Sequence, residues 1–97
     1  MQILLKNNTN EIIDFKFGDR DSFVVLPRSK QSAYLYVRKL NPGENSLTEI
    51  NVSGLSGSRV IPHRKKIEIK NYSRLICEMD KFGKLFLFCE GIPVYSN

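Results

Sequence analysis

A chain of 97 residues with 41% hydrophobic, 10% aromatic and 26% charged side chains is the size of one domain, with enough apolar content for one core. The same figures exclude a disordered tail, a coiled coil and a collagen-like rod. The net charge of +5 is unevenly spread: Arg59 to Arg74 holds six cations against one acid, Arg28 to Lys39 holds four cations and no acid, and the remainder sums to −4. Segregated positive charge attracts nucleic acid, anionic membrane surfaces or acidic proteins.

Period-two alternation recurs between clusters of Gly, Pro, Asn and Ser, and helical periodicity is hard to find. The pattern predicts a single all-β domain over 1–97, an antiparallel β-sandwich of about eight to ten short strands, with a small, partly open β-barrel as the alternative. Strands are expected at 2–6, 11–17, 23–26, 32–39, 47–52, 59–61, 66–70, 74–79, 84–89 and 93–95.

The first residues, Met1-Gln2-Ile3-Leu4-Leu5-Lys6-Asn7, lack the basic leader and long apolar core of a secretory signal, and the purest later apolar run, Leu85 to Cys89, is too short to span a bilayer. Two cysteines are too few for the disulfide framework of a small secreted fold. A cytoplasmic protein is therefore expected. Sequons at Asn7, Asn51 and Asn71 are read as chance triplets in a chain rich in Asn and Ser.

In the second strand Ile13, Phe15 and Phe17 share a core face. In the fourth, Ala33, Leu35 and Val37 point inward, leaving Tyr34, Tyr36 and Arg38 as an outward row able to contact a partner. The turn at Asn41-Pro42-Gly43 has type II chemistry. Val25 to Lys30 and Val60 to Lys65 echo each other as an apolar pair, a proline and then cations, over too few residues to establish a repeat.

Asp80-Lys81-Phe82-Gly83-Lys84 fits a type I turn closed by a left-handed glycine. That turn sets a register: Met79 opposite Leu85, Glu78 opposite Phe86, Cys77 opposite Leu87, Ile76 opposite Phe88, and Leu75 opposite Cys89. One face, with Leu75, Cys77, Met79, Leu85, Leu87 and Cys89, is wholly apolar and predicts the core. Both thiols are expected reduced and buried, lying diagonal to each other rather than opposed. On the other face Ile76, Phe86 and Phe88 sit among Arg74, Glu78, Lys84 and Glu90. They are read as a second buried layer or, better, as a binding surface, because burying those charges unpaired would cost several kcal/mol.

Catalytic chemistry finds few ingredients. One His and two Cys cannot supply a zinc site at familiar spacing, and no other metal site or cofactor is expected. His63, between Pro62 and Arg64-Lys65-Lys66, reads as a solvated turn histidine, and those three cations as a solvated turn that steers association. Ser53-Gly54-Leu55-Ser56-Gly57-Ser58 lacks the Lys and the following helix of a phosphate loop. Asp14, Asp19 and Asp21 flank a turn but lack the spacing of a calcium loop, and Asp19 and Asp21 read as turn caps.

The expected function is therefore non-enzymatic: a small binding module acting by stoichiometric protein–protein interaction, as an assembly subunit or an inhibitor occluding a larger partner. The partner in view is a protein, which an acidic surface would suit, or a second copy, with nucleic acid as the other class and no membrane span. Partner-binding residues are expected among Ile76, Phe86, Phe88, Tyr34, Tyr36 and Arg38. The alternative is a nucleic-acid-binding β domain using those tyrosines and the basic residues Arg28, Lys30, Arg59, Arg64, Lys65 and Lys66. Counting one reversal per joint puts the basic turns after the third and sixth strands at opposite ends, where they form no single groove. This ranks nucleic acid second.

Overall fold

The computed structural model describes residues 1–36, 40–44, 46–69 and 74–90. Arg38 of the expected contact row lies outside the described residues, as do Val37, Lys39, Lys70, the sequon residue Asn71 and the strand expected at 93–95.

Among the described residues the chain forms eight strands and no helix: β1 (Gln2–Asn7), β2 (Ile13–Phe17), β3 (Asp21–Val25), β4 (Ser29–Tyr34), β5 (Ser46–Gly54), β6 (His63–Ile69), β7 (Arg74–Met79) and β8 (Leu85–Glu90). They pair as two four-stranded sheets, sheet 1 in the order β4-β1-β7-β8 and sheet 2 in the order β3-β2-β5-β6. The two sheets pack face to face as a small β-sandwich and do not close into a barrel. Every pairing is antiparallel except β1 with β7, which run parallel from Gln2↔Arg74 to Asn7↔Met79.

Alternation builds the core. Ile3 and Leu5 of β1, Ile13, Phe15 and Phe17 of β2, Val25 of β3, Ile50 and Val52 of β5, and Leu75, Cys77 and Met79 of β7 all project between the sheets and are buried. Leu35, just past β4, joins them. Aliphatic and aromatic side chains at every second position give each sheet one dry face, and burying those two faces together drives the sandwich.

The β7–β8 hairpin has the expected register throughout, from Arg74↔Glu90 to Met79↔Leu85. Its turn is closed by Gly83 at φ +81°, with Gly83 N–H donating to Asp80 O at 3.0 Å and Asp80 N–H donating to Lys84 O at 2.9 Å. The positive φ is why glycine stands there. The Asn41 to Glu44 turn is also closed, Glu44 N–H reaching Asn41 O at 3.0 Å.

Three expectations need correction. The fourth strand begins at Ser29 and ends at Tyr34, earlier than the span 32–39, because β1 pairs with it from Asn7↔Ser29 to Gln2↔Tyr34. Tyr36 therefore lies beyond the strand. Residues 59–61 form no strand but part of the β5–β6 loop, and β6 starts at His63, so Arg64, Lys65 and Lys66 lie on a strand and not in a turn. Cys89 is exposed, not buried: along β8 the core-facing row fades from buried Leu85 through half-buried Leu87 to Cys89 at the strand's far end.

Dropping the spurious sixth strand changes the parity of every later joint. The connections β1–β2, β3–β4, β5–β6 and β7–β8 all lie at one end of the sandwich. Arg28 in the β3–β4 turn and His63-Arg64 at the start of β6 thus share a pole, contrary to the expected separation, and Arg59 in the β5–β6 loop lies at that pole too. Tyr34 and Tyr36 sit at the opposite pole, one strand length or about 20 Å away.

Candidate binding surfaces

The shared pole is held by a buried polar knot. Asn7, fully buried at the end of β1, donates its Nδ2 hydrogens to Glu11 O (2.7 Å), Val25 O (3.0 Å) and Leu26 O (3.1 Å). Its Oδ1 accepts from Thr9 N–H (3.0 Å) and from the Thr9 hydroxyl (2.6 Å). Asn8 N–H donates to Met79 O at 2.9 Å. These bonds tie the β1–β2 loop to both sheets with the buried amide satisfied at both ends. They also leave Asn7 no room to act as a glycan acceptor.

Above the knot opens a cleft of about 690 Å³ between the β1–β2 loop, the β5–β6 loop and the β7–β8 hairpin, its rim carrying Arg59, Ile61, Lys81, Phe82 and Lys84. Its walls are braced from within. Glu11 accepts from the Ser58 hydroxyl (2.6 Å), Arg59 N–H (2.9 Å) and Val60 N–H (3.1 Å). The Ser58 bond, followed by the Arg59 N–H, lowers the Glu11 pKa. Ser58 packs so closely on Gly54 that a Cβ there would overlap it.

His63 is not a free turn histidine, as its neighbours in sequence suggest. Half-buried at the start of β6, it donates from Nε2 to Gly83 O at 2.6 Å and so bridges sheet 2 to the sheet 1 hairpin. A carbonyl only accepts, so Nε2 carries the proton. Asp80 Oδ1 accepts from Phe82 N–H and Lys84 N–H, both at 2.8 Å, and fixes the hairpin tip. Phe82 is then presented 78% exposed, with Lys81 Nζ 5.1 Å from its ring centroid. Arg28, left-handed at φ +56°, reaches Asn10 Oδ1 through Nε at 3.0 Å and adds a cation beside the same wall.

The second surface is the outer face of sheet 1. Parallel pairing sets Leu4 beside Ile76, and antiparallel pairing sets Ile76 beside Phe88, so one apolar row crosses three strands. Phe86, 41% exposed, and Phe88, 49% exposed, stack at 6.4 Å and 11°. Charges frame the row: Lys30, Lys6 and Glu78 on one side, Arg74 and Glu90 on the other, the last two 3.7 Å apart.

The sequence-predicted residues thus divide. Ile76, Phe86 and Phe88 come together on sheet 1. Tyr34 and Tyr36 are exposed but belong to the far pole. The six basic residues do not form one patch: Arg28, Lys30 and Arg59 lie at the cleft end, Arg64 and Lys66 on the outer face of sheet 2, and Lys65 on the core-facing side of edge strand β6, where it remains exposed. Sequence reasoning misses Leu4, which only the long-range β1–β7 pairing reveals, and Phe82 with Lys81 and Lys84. Their signal is an aromatic residue in a hairpin turn between two lysines.

Comparison of the chain with known protein families, with curated proteins and with solved structures found no match.

Proposed function

We propose that this chain is a non-catalytic binding module that associates stoichiometrically with a protein through the outer face of sheet 1. The observation that carries the reading is the row Leu4, Ile76 and Phe88 with Phe86 stacked beside it. An apolar centre framed by charges of both signs is the anatomy of a protein interface, in which aromatic anchors supply most of the energy and the polar rim sets orientation. The partner this face fits presents an apolar patch with a charged border, as an assembly neighbour or as the target of an inhibitor.

The cleft supports a non-catalytic reading too. Its carboxylate Glu11 and its imidazole His63 are both engaged in bracing the loops, which leaves neither poised to move a proton for a substrate.

The test is the double variant Phe86→Ser, Phe88→Ser, with partner capture and oligomeric state measured beside thermal unfolding. The fold should survive, because both rings lie outside the core, while association weakens by about 2 kcal/mol or more. A folded double variant that keeps full partner affinity and an unchanged oligomeric state refutes the proposal.

A further inference from the structure

We infer that the polar cleft is a second, independent site, one that binds single-stranded nucleic acid, with phosphates along Arg59, Lys81 and Lys84 and a base stacked on Phe82. The inference goes beyond the protein-binding face and does not rest on it. Four observations carry it.

The cleft rim holds three cations, and none of them forms an ion pair among the described residues. Its one lining carboxylate, Glu11, is engaged by Ser58 and two backbone N–H groups and faces Arg59, so against Arg59, Lys81 and Lys84 the cleft keeps a net positive charge. Phe82 stands exposed at the hairpin tip with a lysine over its ring. The cleft is open, and Arg28 continues its positive charge past Asn10.

Cations that track a backbone, interrupted by an aromatic ring, are the combination by which proteins hold single strands without reading sequence. An acidic protein would satisfy the cations but has no need of an exposed ring. A duplex would satisfy them too, but its bases are stacked on each other and cannot reach Phe82. The ring therefore selects the single strand. The geometry suits this: Asp80 and His63 hold the hairpin still from below, so little ordering is required when the strand arrives.

The experiment measures binding of the full chain to a fluorescent oligothymidylate over a salt series, with a duplex of equal length and oligoglutamate as competitors. The oligothymidylate should bind at low salt and outcompete both. Phe82→Ala should weaken it roughly ten-fold or more. Lys81→Gln with Lys84→Gln should lower the slope of log affinity against log salt by about 0.7 for each phosphate that is no longer neutralised. Both sets of side chains are exposed at a turn, so the variants should fold, and circular dichroism checks this. Phe88→Ser, on the other surface, should leave oligothymidylate binding unchanged. Absence of binding at low salt overturns the inference. So does a Phe82→Ala variant with full affinity, or equal competition by oligoglutamate, which would make the pole a docking point for an acidic protein.

Discussion

The two sheets bury equivalent inner faces but differ in what they show water: only sheet 1 gathers its outward apolar side chains into one row. The outer face of sheet 2 is mostly polar, with Asp14, Lys16, Ser22, Glu49, Asn51, Arg64, Lys66 and Glu68, while Val24 and Leu47 are exposed at its two opposite ends. Several of the polar groups bond one another: Ser22 Oγ donates to Asp14 at 2.5 Å, Asn51 to Glu49 at 3.1 Å, and Arg64 Nε lies 2.7 Å from Glu49 Oε1. The outer face of sheet 1 offers Leu4, Ile76, Phe86 and Phe88 in the corresponding places. Sheet 2 demonstrates that this fold can solvate an outer face, so the apolar row on sheet 1 is not required by the architecture. The edges repeat the contrast. Strand β6 carries Arg64, Lys65 and Lys66, charges on both sides that discourage another strand from pairing, whereas β8 carries Phe86, Leu87, Phe88 and Cys89 before its first charge at Glu90.

The largest expected effect tests whether β8 really leaves the core. Burial pushes the Cys77 pKa up to about 12, with the neighbouring Cys89 adding to the shift. Partial burial raises that of Cys89 as well. Cys77 can react only when the sandwich opens, so thiol labelling of the folded protein should modify Cys89 at least ~1,000-fold faster. Mass spectrometry of the labelled chain distinguishes the two. Equal rates would place both thiols in one environment and remove the contrast between the start and end of β8.

Next in size is the scaffold on which both faces ride. Asn7→Ala leaves Thr9 N–H and the Val25 and Leu26 carbonyls without their buried partner. Each such loss costs about 1–3 kcal/mol. A total of about 3 kcal/mol should lower the melting temperature by more than roughly 10 °C. The same variant should loosen the cleft, because the β1–β2 loop is one of its walls.

Much of this arrangement is legible in the sequence, and the illegible part has a single physical origin. Local alternation shows which residues share a face, and the turn chemistry of Asp80 to Gly83 sets a whole hairpin register, because both are decided within a few residues. The β1–β7 pairing joins residues more than seventy positions apart and leaves no local trace, so Leu4 could not be joined to Ile76. An apolar pair before a proline, Val60-Ile61-Pro62, looks like a strand end, but these residues lie in a loop held by Glu11 across the pole. That one misreading reversed the placement of the basic loops and hid the cleft.

A direct exchange of chemistry between the faces should have a smaller effect. Ile76→Lys puts a sheet 2 side chain at the centre of the sheet 1 row and should weaken protein association by about 2 kcal/mol. Lys66→Ile makes the reverse change on β6 and should leave association unaltered, as read by titration calorimetry against the captured partner. If both variants weaken binding alike, the faces are not distinct in function.

The smallest effect concerns acid, and it belongs to sheet 2 and the cleft, not to the apolar face. Hydrogen bonds from Arg64 and then Asn51 hold the Glu49 carboxyl below the usual carboxylate range, and Ser58 and the Arg59 N–H do the same for Glu11. A folded-state pKa below the unfolded one means that the unfolded chain takes up protons first as pH falls. The stabilisation is therefore complete above the ordinary carboxylate pKa of about 4.3. It is lost as pH drops through the lower folded-state values, and raising the pH above neutrality adds nothing from these groups. Both carboxylates are well solvated, so each shift moves stability only modestly. Thermal unfolding followed from neutral pH to about pH 3 should show a decline beginning near the ordinary carboxylate range. In Glu49→Gln or Glu11→Gln the decline should be shallower, because the substituted site no longer titrates. The phenylalanine pair has no titrating group, so Phe86→Ser with Phe88→Ser should follow the wild-type pH profile in shape. A wild-type profile flat to pH 3, or a glutamine variant as acid-sensitive as the parent, would show that these bonds do not favour the folded carboxylates. The polar face of sheet 2 would then be solvated without being knit together.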